Sequence, residues 1–175
     1  EAPSYSITVS DGEITTAPVA AAISFISDIV KTVDEDTTVT FTAADFTSHY
    51  SDPESSSVTK IKIISLPTNG VLKLSETPVT IDQEIEAADF SNITFIPDSN
   101  WYGDTNFEWK AYDGTDYSTI SASVVITIDA VNDPPVLTAN QLSITEGQSI
   151  VLSTDNLYAT DPEAPVGDGF IRTLT

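Results

Sequence analysis

Apolar and polar residues alternate along most of this chain. Ile61 and Ile63 alternate with Lys60 and Lys62, and the same period of two recurs in residues 39–43, 107–111 and 122–128. A period of two is typical of β-strands, and Gly, Pro, Asn and Asp separate the runs as turn residues do. One face of each run is apolar and the other mostly polar, which indicates antiparallel sheets packed on one side. The pattern predicts an all-β chain.

Residues 29–131 contain enough runs for a complete sandwich. They predict seven strands, A to G, near residues 29–33, 38–43, 58–64, 71–74, 93–96, 106–112 and 118–129, with a further edge strand near 79–81. Seven strands in about 100 residues are the pattern of an antiparallel immunoglobulin-like β-sandwich. The alternation predicts these buried residues: Val39, Phe41, Ile61, Ile63, Phe107, Trp109, Val124 and Ile126.

Short acidic motifs occur twice at nearly constant separation. Asp52-Pro53-Glu54 returns as Asp161-Pro162-Glu163, 109 positions later, and Asp11-Gly12 returns as Asp113-Gly114, 102 positions later. Glu35 is echoed by Glu146. A period of roughly 100–110 residues fits a whole sandwich domain rather than a solenoid unit. We therefore expect a slice of a tandem array.

The array predicts three parts. Residues 1–28 match the last two strands, F and G, of a preceding repeat, and residues 29–131 form one complete repeat. Residues 132–175 supply a linker and the first strands of a following repeat. Neither partial repeat can cover its own apolar face, so we expect the two to pair with each other, by strand exchange with another copy.

The strongly negative charge of the chain limits the kinds of partner that it is expected to bind. It has 27 Asp and Glu against 6 Lys and Arg, a formal charge of −21, yet 40% of its residues are hydrophobic. The apolar content suffices for a core and excludes a disordered acidic tail. Nucleic acid and anionic membranes carry the same sign and are not expected partners. Carboxylates are hard oxygen ligands, so the composition favours calcium as the cofactor.

Cysteine is absent, which excludes disulfides and thiol chemistry. The sequence shows no run of 18 apolar residues and no signal peptide, so membrane insertion is not expected. Because the chain begins within a strand pattern at Glu1, we expect it to be cut from a longer protein.

Four motifs in combination resemble bacterial cadherin-like repeats. They are Asp52-Pro53-Glu54, Trp101-Tyr102-Gly103-Asp104, Tyr112-Asp113-Gly114 and Val131-Asn132-Asp133-Pro134-Pro135. Such repeats occur in large secreted adhesins and other surface proteins, often beside repeats-in-toxin segments. The resemblance covers essentially the whole chain. It implies sandwiches stacked end to end, an extracellular location, neighbouring repeats as partners and calcium at the junctions. The first junction differs, because residues 25–29 contain only Asp28 and no Asn-Asp-Pro-Pro segment.

The topology of a seven-stranded sandwich gathers the acids at its two ends. The A–B and E–F loops share the C-terminal pole, where the linker leaves, and the B–C and F–G loops share the N-terminal pole. The expected calcium ligands at the second junction are Glu35, Asp98, Asp104, Asp129, Asn132, Asp133, Asp161 and Glu163. The acids expected at the N-terminal pole are Asp52, Glu54 and Asp113. Calcium takes about six to eight oxygens, so the residues at the second junction could fill one site or two.

Other interpretations of the same residues stay open. The acids can be solubilising turn residues, as Asp and Asn often are. Trp101 and Tyr102 can form a sugar-stacking platform, or pack the E–F loop onto the core. The first expectation is a calcium-rigidified adhesive spacer, and the alternative is a carbohydrate- or protein-binding module with a glycan or surface receptor. We expect no enzyme, because His49 has no nucleophile motif and the sandwich ends offer no cleft for a carboxylate pair.

Overall fold

The computed structural model describes residues 5–7, 19–21, 25–52, 57–140, 143–149, 151, 153 and 157–160. The chain divides into two compact units, Glu1–Asp129 and Ala130–Thr175. Within the described ranges, no helix has the length and apolar character needed to cross a membrane.

Most of the regular secondary structure described in the first unit is β-strand. They are β1 Tyr5–Ile7, β2 Val19–Ala21, β3 Phe25–Ile26, β4 Ile29–Asp34, β5 Val39–Thr40, β6 Tyr50–Ser51, β7 Lys60–Ile63, β8 Gly70–Leu74, β9 Thr77–Pro78, β10 Glu84–Glu86, β11 Ile93–Pro97, β12 Gly103–Tyr112 and β13 Ala122–Asp129. Two short helices interrupt them: α1 Ala43–Thr47 and a 3₁₀ helix Ala87–Asn92.

Two sheets share one apolar core. The five-stranded sheet has the order β10-β7-β12-β13-β4 and the four-stranded sheet the order β5-β11-β8-β9. Strand pairs β1-β2 and β3-β6 are separate two-stranded sheets. All described pairs are antiparallel except β4 with β13, which is parallel. The architecture is all-β, with several antiparallel sheets, as in a β-sandwich.

The predicted inward faces are confirmed. All eight residues expected in the core are buried, and Phe107 and Trp109 have no exposed surface. Trp109 pairs with Ile63 on one side and Ala122 on the other, so its strand lies between β7 and β13. Strand alternation therefore located the centre of the five-stranded sheet correctly.

The predicted second strand was too long. Pairing ends at Thr40, and the chain turns into α1, whose first turn is capped by Thr42. Asp45 accepts a hydrogen bond from the Thr42 backbone N–H at 2.7 Å, and the Asp45 N–H donates to the Thr42 hydroxyl at 3.3 Å. This reciprocal capping box satisfies two backbone donors. As a result Phe46 is buried, whereas Ala43, expected to face inward, is exposed.

The expected edge strand at 79–81 is also displaced. Pairing with β8 occurs at β9, two residues earlier, and Val79 is buried while Ile81 is exposed. The sequence pattern did not reveal β10, which pairs with β7 around the buried Ile85. The last strand of the unit begins at Ala122 rather than 118. Ser118 is buried in the preceding turn, where its N–H donates to the Ala111 carbonyl at 2.8 Å.

The second unit contains one described strand pair, β14 Val136–Asn140 with β15 Leu157–Thr160. Its register matches that of β3 with β6. Val136 pairs with Thr160 as Phe25 pairs with Ser51, at separations of 111 and 109 positions. A turn between the two strands of each pair matches as well. Gln148 N–H donates to the Thr145 carbonyl at 3.0 Å, 111 positions after the bond from Thr37 N–H to the Asp34 carbonyl at 3.3 Å.

The chain before β3 resembles the β12-β13 hairpin in register. Tyr5 pairs with Ala21, and Phe107, 102 positions later, pairs with Val124, 103 positions after Ala21. The assignment of residues 1–28 to strands F and G stays a prediction, since only eight residues of that segment are described before Ser27.

Gly70 opens β8 at a point where backbone and side chains approach closely. A Cβ at this position would lie 2.5 Å from the Ile96 carbonyl oxygen and 2.5 Å from the Phe95 ring. Both neighbours are fixed, one in the backbone of β11 and one in the core. Only glycine fits without a shift of the sheet.

We expect Gly70→Ala to lower the free energy of unfolding by on the order of 1–3 kcal/mol, because the added methyl forces β8 away from β11. Urea unfolding followed by tryptophan fluorescence measures the change. Glu76→Ala, in the exposed turn between β8 and β9, is the matched control and should shift stability by less than about 0.5 kcal/mol. Equal stability of Gly70→Ala and the unaltered protein would contradict the close approach.

Candidate metal centre

The end of the first unit where β13 stops at Asp129 is the C-terminal pole. Strand pairing brings three predicted acids toward it. Asp129 lies opposite Asp34 in the parallel β4–β13 pair, and the Glu35 N–H donates to the Asp129 carbonyl at 2.8 Å. Asp104 is two positions inside the same end, opposite Thr127. The A–B turn and the last residue of the unit are therefore joined directly.

Glu35 is the one buried carboxylate in the described part of the chain, with 5% of its surface exposed. It occupies a two-residue turn whose second residue, Asp36, has a φ of 57°. The turn is closed by Thr37, whose N–H donates to Asp34 and whose hydroxyl donates to the Glu35 carbonyl at 3.4 Å. A buried carboxylate is costly unless its charge is compensated. The sequence placed Glu35 correctly in the A–B turn but could not show that it is buried.

The E–F turn folds against the A–B turn at the same pole. The Asn100 N–H donates to Asp36 Oδ1 at 3.0 Å, and the Trp101 N–H donates to the Asp98 carbonyl at 3.2 Å. The Asp98 N–H donates to the Asn69 carbonyl at 2.9 Å, and this bond fixes the position of Asp98. Asp36 and Asn100 were not among the predicted ligands, although both bear oxygens at this pole.

Asp104 lies in strand β12 and not in the preceding loop. Its Oδ1 accepts a hydrogen bond from the Thr127 hydroxyl at 2.8 Å, across the antiparallel pair. This cross-strand bond gives Asp104 a structural role, because such polar pairs fix the register of a sheet. The other carboxylate oxygen of Asp104 is the atom that would bind a cation.

The remaining predicted ligands of this junction belong to the second unit. Asn132 and Asp133 lie in the segment before β14, where the Asn132 side-chain amide donates to the Asp133 carbonyl at 3.0 Å. Asp161 and Glu163 lie outside the described residues. Among the residues that are described, no group of three or more His, Cys, Asp and Glu side chains is placed to hold a metal ion.

At the opposite, N-terminal pole, Asp113 organises its own turn. Its Oδ1 accepts hydrogen bonds from the backbone N–H groups of Thr115 at 2.7 Å and Asp116 at 2.9 Å. These backbone donors, that of Asp116 first, lower the pKa of the Asp113 carboxyl, with a smaller contribution from the Tyr50 hydroxyl. Tyr50 is two residues before Asp52, so this bond brings the chain next to Asp52 toward the Asp113 turn. Glu54 is outside the described residues.

His49 takes part in a local contact between strands. Its Nδ1 lies 3.0 Å from the Ser27 hydroxyl oxygen, and its carbonyl accepts a hydrogen bond from the Ser27 N–H at 3.0 Å. The contact extends the β3–β6 pair, which gives His49 a structural role.

Trp101 and Tyr102 differ in their surroundings. Trp101 is half-buried and packs against the core, and a Cβ at Gly103 would lie 3.3 Å from its ring. Tyr102 is half-exposed beside it. One aromatic ring at this position is therefore open to solvent, whereas a stacking platform of two rings needs both.

The five-stranded sheet carries a charged network that was not predicted from the sequence. Lys60 Nζ is 2.6 Å from Glu84 Oε2, Lys62 Nζ is 3.8 Å from Glu84 Oε1, and the Tyr117 hydroxyl donates to the same carboxylate. The Lys62 ammonium lies 4.2 Å from the centre of the Tyr117 ring. The sequence contained a signal for this network. Lys60 and Lys62 alternate with buried isoleucines in one strand, and Glu84 and Glu86 flank the buried Ile85 in another. Only the pairing of β10 with β7 puts them together.

A scan against protein-family models found no match, and a search of curated proteins found none either. The resemblance of the four sequence motifs to cadherin-like repeats therefore stays a prediction.

The Glu84 network yields a pH dependence. Burial, followed by the hydrogen bond to Glu84, raises the pKa of Tyr117 to about 12. An unfolded tyrosine ionises near pH 10, so the folded state holds the proton longer. The stability contributed by Tyr117 is complete below about pH 10 and is lost as the pH rises through about 12. Ultraviolet titration should show one tyrosine ionising later than the rest.

Tyr117→Phe should remove that late ionisation. Glu84→Gln should lower the pKa of Tyr117, because no negative carboxylate then disfavours the phenolate. Tyr112→Phe is the matched control, since the Tyr112 hydroxyl donates to the Gly114 carbonyl instead. A late-ionising tyrosine that survives in Tyr117→Phe would show that another residue is responsible.

Proposed function

We propose that this chain is a calcium-binding segment of a tandem array of immunoglobulin-like sandwich repeats, similar to bacterial cadherin-like repeats. Its role is that of a rigid, non-catalytic spacer in an extracellular adhesin that joins cell surfaces. Each repeat binds its neighbours through calcium held by the acids that end one repeat, the linker and the acids that begin the next.

The repetition of local geometry supports the array. The strand before Asp52 and the strand before Asp161 have the same pairing register, at a separation of 109 positions. The turns at Glu35-Asp36 and Glu146-Gly147 share the closing hydrogen bond and a positive φ at the second residue, 57° and 80°. Asp36 and Gly147 are residue types that tolerate this conformation.

The buried Glu35 is the observation that carries the calcium proposal. A carboxylate with 5% exposure lies where the first unit ends, hydrogen-bonded through its backbone to Asp129. A divalent cation at this pole would stabilise the burial of that charge. Glu35, Asp133, Asp161 and Glu163 are the proposed principal ligands, with Asp98, Asp104, Asp129 and Asn132 contributing further oxygens.

Calcium outside cells can be bound weakly and still occupy its site. Extracellular modules bind it with dissociation constants on the order of 0.1–1 mM. Pro134 and Pro135 stiffen the linker, and the residue before the first proline is held extended. Stiff linkers with cation-bridged poles give a spacer that resists bending.

The alternative function, a carbohydrate- or protein-binding module, draws on Tyr102 and on the exposed sheet faces. It is less well supported, because Trp101 packs against the core rather than standing open beside Tyr102. A glycan array distinguishes the two functions, since a spacer binds no sugar.

Calcium should raise the melting temperature of the full chain, and a chelator should reverse the rise. A ligand that binds only the folded form stabilises it by about 2.7 kcal/mol at one hundred times its dissociation constant. Asp133→Ala combined with Asp161→Ala should abolish the response. A melting temperature unchanged by millimolar calcium would refute the proposal.

Glu35→Gln tests the role of the buried carboxylate directly. Because a neutral amide costs less to bury than a charge, we expect the metal-free melting temperature not to fall. The calcium response should nevertheless be lost. Glu76→Gln, which neutralises an exposed acid in the β8–β9 turn, is the matched control and should retain the response. A full calcium response in Glu35→Gln would remove Glu35 from the site.

A further inference from the structure

Strand β4 is an edge of the five-stranded sheet. It pairs with β13 through six residue pairs, and no other described strand pairs with it. The other edges of the two large sheets are β10, β5 and β9, which have three, two and two residues, whereas β4 has six. The backbone N–H and C=O groups along the free side of an edge strand form a template for pairing with another chain. Among these edges, β4 offers the longest template.

The sequence of β4 favours such pairing. Four of its six residues are β-branched: Ile29, Val30, Thr32 and Val33. Residues of this type suit a strand, and Val30 is 67% exposed on the outer face. Lys31 interrupts the β-branched run with a charge.

Lys31 lies on the inward face of β4. It shares that face with Ile29, which is 1% exposed, and with Val33, which packs against the core. The Lys31 ammonium is 2.7 Å from Asp45 Oδ1 and 5.6 Å from the centre of the Phe41 ring. The charge is therefore held at the side of the sandwich where β4 ends the sheet. Inward-pointing charges are one device by which native proteins protect edge strands.

A second β4 that joined this edge would meet Lys31. A two-fold axis perpendicular to the sheet would make the two strands antiparallel and keep both cores on one side. Because residues directly opposite share a face, two central registers are available. One sets Lys31 opposite Lys31 of the other copy, and the other sets Lys31 opposite Val33 of the other copy. The first places like charges together and the second places an ammonium against an aliphatic side chain, so both are unfavourable.

We propose that Lys31, held inward by Asp45, prevents β4 of one molecule from pairing with β4 of a second copy. Without this charge the two edges would join into one continuous sheet. A symmetric contact uses the free edge of both copies, so association would stop at a dimer. The inference concerns the first unit by itself and depends neither on calcium nor on the array proposed above.

Thiol cross-linking at the edge tests the proposal, because the chain has no cysteine of its own. Thr32→Cys places one thiol on the exposed outer face of β4, and a short bismaleimide joins two such thiols when they lie close together. With Lys31 in place we expect no cross-linked dimers. With Lys31→Ile added we expect covalent dimers. In sedimentation velocity, the weight-average mass of Lys31→Ile should rise with concentration toward twice that of the unaltered chain. All samples contain chelator, so the calcium site does not affect the outcome.

Lys31→Thr is a second test variant, because it removes the charge without adding a large apolar side chain. It should also give cross-linked dimers in the Thr32→Cys background, which keeps the test independent of how well Lys31→Ile folds. Lys31→Arg keeps the charge and should not cross-link. Tryptophan fluorescence shows that each variant is folded.

Lys73→Ile is the matched control. Lys73 is half-buried in β8, which lies between β11 and β9, so the same charge is lost away from a sheet edge. Combined with Thr32→Cys, it should give no dimers. A folded Lys31→Ile or Lys31→Thr that does not cross-link would overturn the proposal. Cross-linking that is equal in Lys31→Ile, Lys31→Arg and Lys73→Ile would overturn it as well, since the association would then not depend on the Lys31 charge.

Discussion

The structure of the first unit depends on one aromatic cluster that joins the five-stranded sheet to both short helices. Phe46, at the end of α1, lies 5.8 Å from Phe41, 5.1 Å from Phe90 and 5.3 Å from Trp109, measured between ring centres. The tilted and edge-to-face angles are those that aromatic quadrupoles favour. The Trp109 indole N–H is buried with no hydrogen-bond partner among the described residues, a cost of about 1–3 kcal/mol. With no cysteine in the chain, packing of this kind must offset such costs.

Two copies of one short motif build this cluster. Ala43-Ala44-Asp45-Phe46 forms α1, and Ala87-Ala88-Asp89-Phe90 forms most of the 3₁₀ helix. Each delivers a fully buried phenylalanine from a helix with an acidic first turn. Asp45 also pairs with Lys31 at 2.7 Å, which ties α1 to strand β4. Burial raises the pKa of the Asp45 carboxyl, but the bonds to Lys31 and Thr42 outweigh it and lower the pKa overall.

Local periodicity in the sequence predicted the strand faces, whereas features that depend on pairing between distant residues were missed. Alternation identified the buried faces of β7, β12 and β13, because a half-buried strand shows its period directly. Alternation also predicted that the second strand continues through Ala43. This was wrong, because the Thr42–Asp45 capping box starts a helix there. The repeated Ala-Ala-Asp-Phe motif was a visible signal for both helices. Topology also predicted the turns in which Glu35 and Asp113 lie, at opposite ends of the unit. The burial of Glu35 and the bond from Asn100 to Asp36 depend on packing between turns that are 64 positions apart.

The parallel pairing of β4 with β13 has a mechanical consequence. Strand β4 begins at Ile29, at one end of the unit, and β13 ends at Asp129, at the other, while the two strands run side by side in the same direction. A force that stretches the chain through this unit therefore pulls the two strands past each other along their length. All six residue pairs bear the load together, whereas strands peeled from one end would open pair by pair. Shear geometry of this kind makes the unit strong under tension even where its equilibrium stability is ordinary.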